Sequence, residues 1–204
     1  ADTTLMGLHP STLVGRQQEL AQLREWSQPI FEGQPTDIFL IHGEAGIGKS
    51  RLIHEFRNTV AKGQNVLWLK CHADSFSQRT FTPFRYAVRD YFRRVNDHPF
   101  VRDAEYNREL FQLALDTLIE GLAGMGSKYG PLIEDLDRNG SCLASLADLT
   151  WEGSYYESLS TQGQYFAVLD AFRTVIQTLS LFRPGVLFMD NLQWFDKDSL
   201  AMSH

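Results

Sequence analysis

An α/β fold built on a parallel sheet is what this sequence predicts, and three observations carry the expectation. Two short apolar runs rich in β-formers, "DIFLIHG" at 37–43 and "NVLWLKC" at 65–71, are separated by a glycine cluster and an amphipathic stretch. A third run, "GVLFMDNL", begins at residue 185 and leads into a carboxylate at Asp190. Between the second and third runs lies a long stretch of helical periodicity. Strand, loop, helix, strand in that order is a βαβ unit, because parallel neighbours need a crossover that a helix supplies. Continuous apolar runs, without alternation, mark strands buried on both faces.

The elements follow in chain order. Residues 1–12 are polar, contain Pro10, and read as an arm or linker. A domain is expected over 13–204. "STLVGRQQELAQLREW" opens it as a helix that Ser11 or Thr12 can cap, with Leu20, Leu23 and Trp26 at helical spacing. "EGQPT" at 32–36 is a turn. After the glycine cluster, residues 49–63 read as a helix whose inner face is Leu52, Ile53, Phe56 and Val60, with Gly63 as its stop. From 82 to 122 two helical stretches are expected, and residues 123–160 read as loops and short helices because short apolar clusters alternate with Gly and Ser. Asn139-Gly140-Ser141 matches a glycosylation acceptor and reads better as a turn. The longest periodic stretch, 161–182, has Phe166, Leu169, Phe172, Val175, Ile176 and Leu179 on its apolar side and ends at Pro184-Gly185. The whole interval 82–182 is thus a helical insertion ahead of the third strand, and "KDSLAMSH" begins a further helix.

Composition narrows the function classes. With 204 residues, 43% hydrophobic and 22% charged, the chain can bury one sizeable core. A net charge of −6 sits poorly with a nucleic-acid surface, which needs clustered Lys and Arg. "FRRV" at 92–95 pairs two adjacent arginines, and a local basic patch stays open. No run of 18 apolar residues suggests a membrane span, and the first residues lack a secretory pattern. Cys71 and Cys142 have no metal-type spacing. Cys71-His72 looks like half a zinc pair that nothing completes, so both cysteines read as core thiols of a cytoplasmic protein.

The glycine cluster is the strongest signal. Gly43-Glu44-Ala45-Gly46-Ile47-Gly48-Lys49-Ser50 satisfies G-x-x-x-x-G-K-[ST] at every fixed position. At ordinary residue frequencies a chance match arises in roughly one chain in a hundred of this length. A loop that wraps a β-phosphate must aim its backbone N–H groups inward, and glycine reaches those dihedrals without a Cβ clash. The helix beginning near Lys49 adds the N–H groups of its first turn, Ser50 and Arg51 included, and the positive end of its dipole. Lys49 is expected to reach the β- and γ-phosphates of ATP and the Ser50 hydroxyl to ligate Mg²⁺. "VLFMD" at 186–190 has the form of a Walker-B strand, in which Asp190 holds Mg²⁺ through its water shell.

With those motifs in place the chain resembles a known family. "LVGRQQEL" at 13–20 is similar to the leading motif of AAA-type ATPases related to origin-recognition proteins. "GEAGIGKSRL" and "LFMDNLQWFDKDSL" resemble the two Walker segments of the signalling branch, the signal-transduction ATPases with numerous domains. That branch includes regulatory modules joined to bacterial adenylate cyclases, Ser/Thr kinases and helix-turn-helix regulators. The resemblance covers residues 11–204 in order and is weakest over 97–160. It implies a P-loop NTPase three-layer sandwich. It also implies that Val14, Gly15 and Arg16 lie beside the adenine and ribose, although a plain helix-opening turn explains the same residues. "FTPF" at 81–84 and Trp194 are read as packing. Covalently linked output and helical-repeat domains are implied as partners. A nucleotide-dependent homo-oligomer, with an arginine from a neighbouring copy, stays open.

Two departures matter. Most such ATPases carry a second acid after the Walker-B Asp, and here that position is Asn191. An amide bonds water and cannot take its proton, so general-base help is lost and slow hydrolysis is expected. Gln193 offers no substitute base, and Asp196 is the remaining candidate. Secondly, 14 residues follow Asp190, too few for the sensor strand and helical lid. The sequence therefore reads as a piece of a longer protein whose sheet is incomplete at its C-terminus. The function expected is an ATP-binding signalling module, with an origin-type DNA-associated ATPase or a P-loop kinase as alternatives.

Overall fold

A computed structural model describes residues 15–34, 36–61, 65–73, 79–95, 103–197 and 199. The chain divides into two compact units, Ala1–Val66 and Leu67–His204.

In the first unit, α1 (Gln17–Phe31) lies against α2 (Lys49–Ala61). α1 begins four residues after the leading motif opens, with Arg16 at its N-cap and no side-chain cap. Ser11, Thr12 and Val14 lie outside the described residues, as do Gly63 and all of the helix expected from "KDSLAMSH" except residues 197 and 199. The expected turn after α1 forms: Gly33 has φ +74° and its N–H donates to the Ile30 carbonyl at 3.2 Å. Leu23, Leu52 and Phe56 are buried, as the 3.6-residue period requires.

Residues 37–43 do not form the strand that their apolar run predicts. A strand exists through its ladder, and no described residue supplies one. The segment is held to α1 instead. The Thr36 hydroxyl donates to the Trp26 carbonyl at 2.9 Å, and Phe39 stacks on Trp26 with centroids 5.3 Å apart. Ile38 and Leu40, alternating with Phe39, remain 90% and 71% exposed. Trp26 is accordingly a partner for Phe39 and not an inner-face residue.

The second unit contains a parallel pair, β1 (Leu67–His72) and β2 (Gly185–Asp190), in register from Leu67 opposite Gly185 to His72 opposite Asp190. All the helices of the insertion lie between them in sequence: α3 (Thr82–Val95), α4 (Ala104–Met125), α5 (Gly130–Leu146), α6 (Tyr155–Ser158) and α7 (Thr161–Phe182). Leu67, Leu69 and Cys71 share one face of β1 and enter the core with Phe84, Phe92, Phe111, Leu115, Leu143 and Phe172. Each such side chain, fully withdrawn from water, contributes about 1.5–3 kcal/mol. Phe92 stacks on Phe111 at 4.3 Å and Phe84 meets Phe172 at 4.7 Å. α7 matches its expected limits, although Phe166 turns outward.

The interval 123–160 corrects the expectation of loops. α5 runs through Asn139-Gly140-Ser141, so that tripeptide is helix interior and Asn139 is buried. The reason is packing: a Cβ on Gly140 would stand 2.8 Å from Leu115 Cδ2. The glycine buys close approach of α5 to α4 rather than a turn. α5 ends where Asp148 takes a left-handed conformation (φ +61°). There the half-buried Arg85 donates to the Ser145 carbonyl at 2.7 Å and to Asp148 at 3.0 Å.

Candidate functional site

The glycine loop belongs to the first unit. Gly46 and Gly48 sit at φ +82° and +93°, a region that β-branched and bulky residues avoid. Neither would bring a Cβ within 4 Å of another atom, so the demand for glycine at both is conformational. The Ile47 N–H donates to the Glu44 carbonyl at 3.4 Å, which curls the loop. The first bond into α2 runs from the Leu52 N–H to the Gly48 carbonyl at 3.0 Å. Helix geometry then leaves the N–H groups of Lys49 and Ser50 without intrahelical acceptors. Gly43, Glu44, Ala45, Gly46, Ile47 and Ser50 are all exposed. An exposed glycine loop that opens a helix suits a phosphate group.

Two cations hold carbonyls of this loop. Lys49 Nζ donates to the carbonyls of Gly43 at 2.8 Å and Glu44 at 2.9 Å. Arg16 donates through one terminal nitrogen to the Ile47 carbonyl at 3.1 Å and through the other to Glu19 Oε1 at 2.6 Å. A backbone hydrogen bond and this guanidinium hold the Glu19 carboxyl below the usual carboxylate range. Arg16 was expected beside adenine and ribose; the structure brings it to the loop's backbone. Gly15 is exposed with φ +80°.

Asp190 ends β2 in the second unit, opposite His72. Residues two apart on a strand share a face, so Lys70 and His72 both flank the carboxylate. Lys70 Nζ lies 3.1 Å from Asp190 Oδ2. His72 Nδ1 lies 3.4 Å from the same oxygen, close enough for an ion pair yet without a hydrogen bond among the described residues. Neither neighbour was singled out from sequence, because the register that pairs the two strands is invisible in either one. Asn191 follows in the left-handed region (φ +63°, ψ +46°), which Asn tolerates well. Its Nδ2 donates to the Ala73 carbonyl at 3.2 Å and ties the end of β2 to the end of β1.

The tail after Asn191 corrects two expectations. Trp194 is 51% exposed, while Phe195 is buried and meets Phe84 edge-on, so Phe195 does the packing assigned to Trp194. Phe81, Pro83 and Phe84 are buried as expected. Asp196 is occupied as a turn cap, accepting from the Ser199 N–H at 2.9 Å and hydroxyl at 2.6 Å, which leaves it poorly placed to serve as a base.

Ser50, in the first unit, offers a hydroxyl, and Asp190, in the second, a carboxylate; each is a hard oxygen of the kind small divalent cations take. No cluster of three or more His, Cys, Asp or Glu side chains that could hold a metal ion assembles among the described residues. Cys71 and Cys142 are buried free thiols.

The chain matches the AAA ATPase domain family over residues 12–203. No curated protein and no solved structure matches it. A match across that span makes the chain a member of the AAA ATPase domain family, and membership carries nucleotide binding, with ATP as the family's nucleotide. No helix among the described residues is long and apolar enough to cross a membrane.

Proposed function

We propose that this chain is the ATP-binding regulatory module of a multidomain signalling protein, binding ATP with Mg²⁺ and hydrolysing it slowly as a timed switch. The observation that carries the reading is the state of Asn191. A residue adjoining the Walker-B carboxylate is an amide whose Nδ2 is committed to the Ala73 carbonyl. It can orient a water through Oδ1, but it accepts no proton from it.

The roles follow from the residues. The amides of Gly46, Gly48, Lys49 and Ser50 cradle the phosphates. Lys49 exchanges its two carbonyl acceptors for phosphate oxygens, a better match for an ammonium because the new partners are charged. Ser50, through its hydroxyl, and Asp190, through the ion's water shell, would hold Mg²⁺, which when bound would neutralise phosphate charge. Binding then biases a domain conformation that attached output domains read.

Lys49→Ala tests the core of this reading. Affinity for labelled ATP should fall at least tenfold, since charge-assisted bonds contribute about 1.5–3 kcal/mol each and about 1.4 kcal/mol is a decade. Unchanged affinity in a folded variant refutes it.

A further inference from the structure

We infer that Arg16 is a positioning residue of the phosphate cradle, acting through the Ile47 carbonyl and not through the nucleotide base. The inference rests on the reading of the loop as a phosphate site. Its physical basis is the planarity of one peptide. The carbonyl of Ile47 and the N–H of Gly48 belong to the same trans peptide unit and point in opposite directions. Fixing the carbonyl therefore fixes the amide. Arg16 takes the Ile47 carbonyl at 3.1 Å, so the Gly48 N–H is turned away from α1's N-terminus and donates to no described acceptor. Until it turns to phosphate, Lys49 does the same for the preceding peptides: by holding the carbonyls of Gly43 and Glu44 it orients the N–H groups of Glu44 and Ala45.

Arg16 is itself held. Glu19, one turn along α1, takes its other terminal nitrogen at 2.6 Å. A planar guanidinium can serve a carboxylate and a carbonyl at once; a lysine ammonium at the same position lacks that fixed fork. Gly48 makes this anchoring consequential. With φ +93° and no Cβ, its flanking peptides rotate freely unless something pins them. A pinned loop meets phosphate without first losing that freedom, which is the gain in affinity that preorganisation gives.

The experiment compares ADP, GDP and inorganic pyrophosphate binding by calorimetry to the full chain carrying Arg16→Ala, Arg16→Lys or Glu19→Gln. Positioning predicts that Arg16→Ala weakens all three ligands by a common factor of about ten, the scale of one lost charge-assisted bond. The ratio of ADP to pyrophosphate affinity stays constant, and Arg16→Lys recovers only part of the loss. A loss confined to ADP, or to the ADP-over-GDP preference, makes Arg16 a base contact and overturns the inference. So does pyrophosphate affinity that ignores Arg16 altogether. If Arg16→Ala does not fold, Glu19→Gln decides: it should weaken pyrophosphate and ADP together by a few-fold, and no change in pyrophosphate overturns the proposal. Failure of the wild-type chain to bind ADP or pyrophosphate sinks the proposed function itself, a separate outcome.

Discussion

Asn191→Asp should raise ATP turnover and lower stability in the same molecule. The backbone there is left-handed, and Asp tolerates that region as Asn does, so no conformational strain is added. What changes is the side-chain donor. Asn191 Nδ2 gives a 3.2 Å bond to the Ala73 carbonyl, and the carboxylate offers only acceptors. Losing a neutral hydrogen bond costs about 0.5–1.5 kcal/mol, and setting an anion against the carbonyl of the buried Ala73 raises the total to about 1–3 kcal/mol. The same repulsion drives the new carboxylate off Ala73 and makes it available to a water. General-base help contributes about 10²–10⁴-fold, so even partial engagement is easily read in steady-state phosphate release. Urea titration at neutral pH measures the first effect, with an unchanged slope and a lower midpoint. Unchanged turnover at undiminished ATP affinity refutes the slow-switch reasoning. Unchanged urea midpoint refutes the role given to the Ala73 bond.

Two glycines and a thiol supply further tests. Gly140→Ala should destabilise by up to about 2 kcal/mol, because overpacking against Leu115, which is 1% exposed, outweighs the roughly 1 kcal/mol of helix propensity gained. Gly121→Ala should be neutral or stabilising by up to about 1 kcal/mol, since its obstacle, the Phe182 ring 2.8 Å away, is 41% exposed and free to swing. Thermal melts should separate the pair by several degrees, at about 2–4 °C per kcal/mol for a chain of this size. Burial pushes the Cys71 thiol from 9.0 up to about 12. Native protein at pH 9 should therefore leave Cys71 unreactive toward a chromogenic disulfide, and urea should release it. The sign for stability follows: the raised value favours the folded thiol below pH 9, and that contribution is lost as pH climbs toward 12.

Elements whose signal is local were legible. Periodicity alone gave α7 its limits, and the second and third apolar runs became β1 and β2 within two residues of expectation. Where the expectation failed, the missing information lay in another part of the chain. Gly140 looks like a turn residue until Leu115 is known to sit beneath it. Residues 37–43 have every property of a strand except a partner, and side-chain preference cannot provide one. Trp194 and Phe195 are adjacent aromatics, and only Phe84 decides which of them turns inward.

The candidate site divides along the same line. G-x-x-x-x-G-K-[ST] is readable because its chemistry needs backbone dihedrals that glycine alone reaches cheaply, and that need is written into single positions such as Gly46 and Gly48. The residues that orient the motif leave no such mark. Arg16 stands 31 positions before Ile47, and nothing in "VGRQQE" announces that its guanidinium will take a backbone oxygen. Lys70 and His72 meet Asp190 only through strand register. Asn191 looked like a lost acid and proves to be a donor in a conformation its side chain suits. A supporting residue of this kind leaves no pattern, because its partner is a carbonyl, which every residue carries. Sequence therefore names the groups proposed to touch phosphate, and the fold names the side chains that hold the loop's carbonyls.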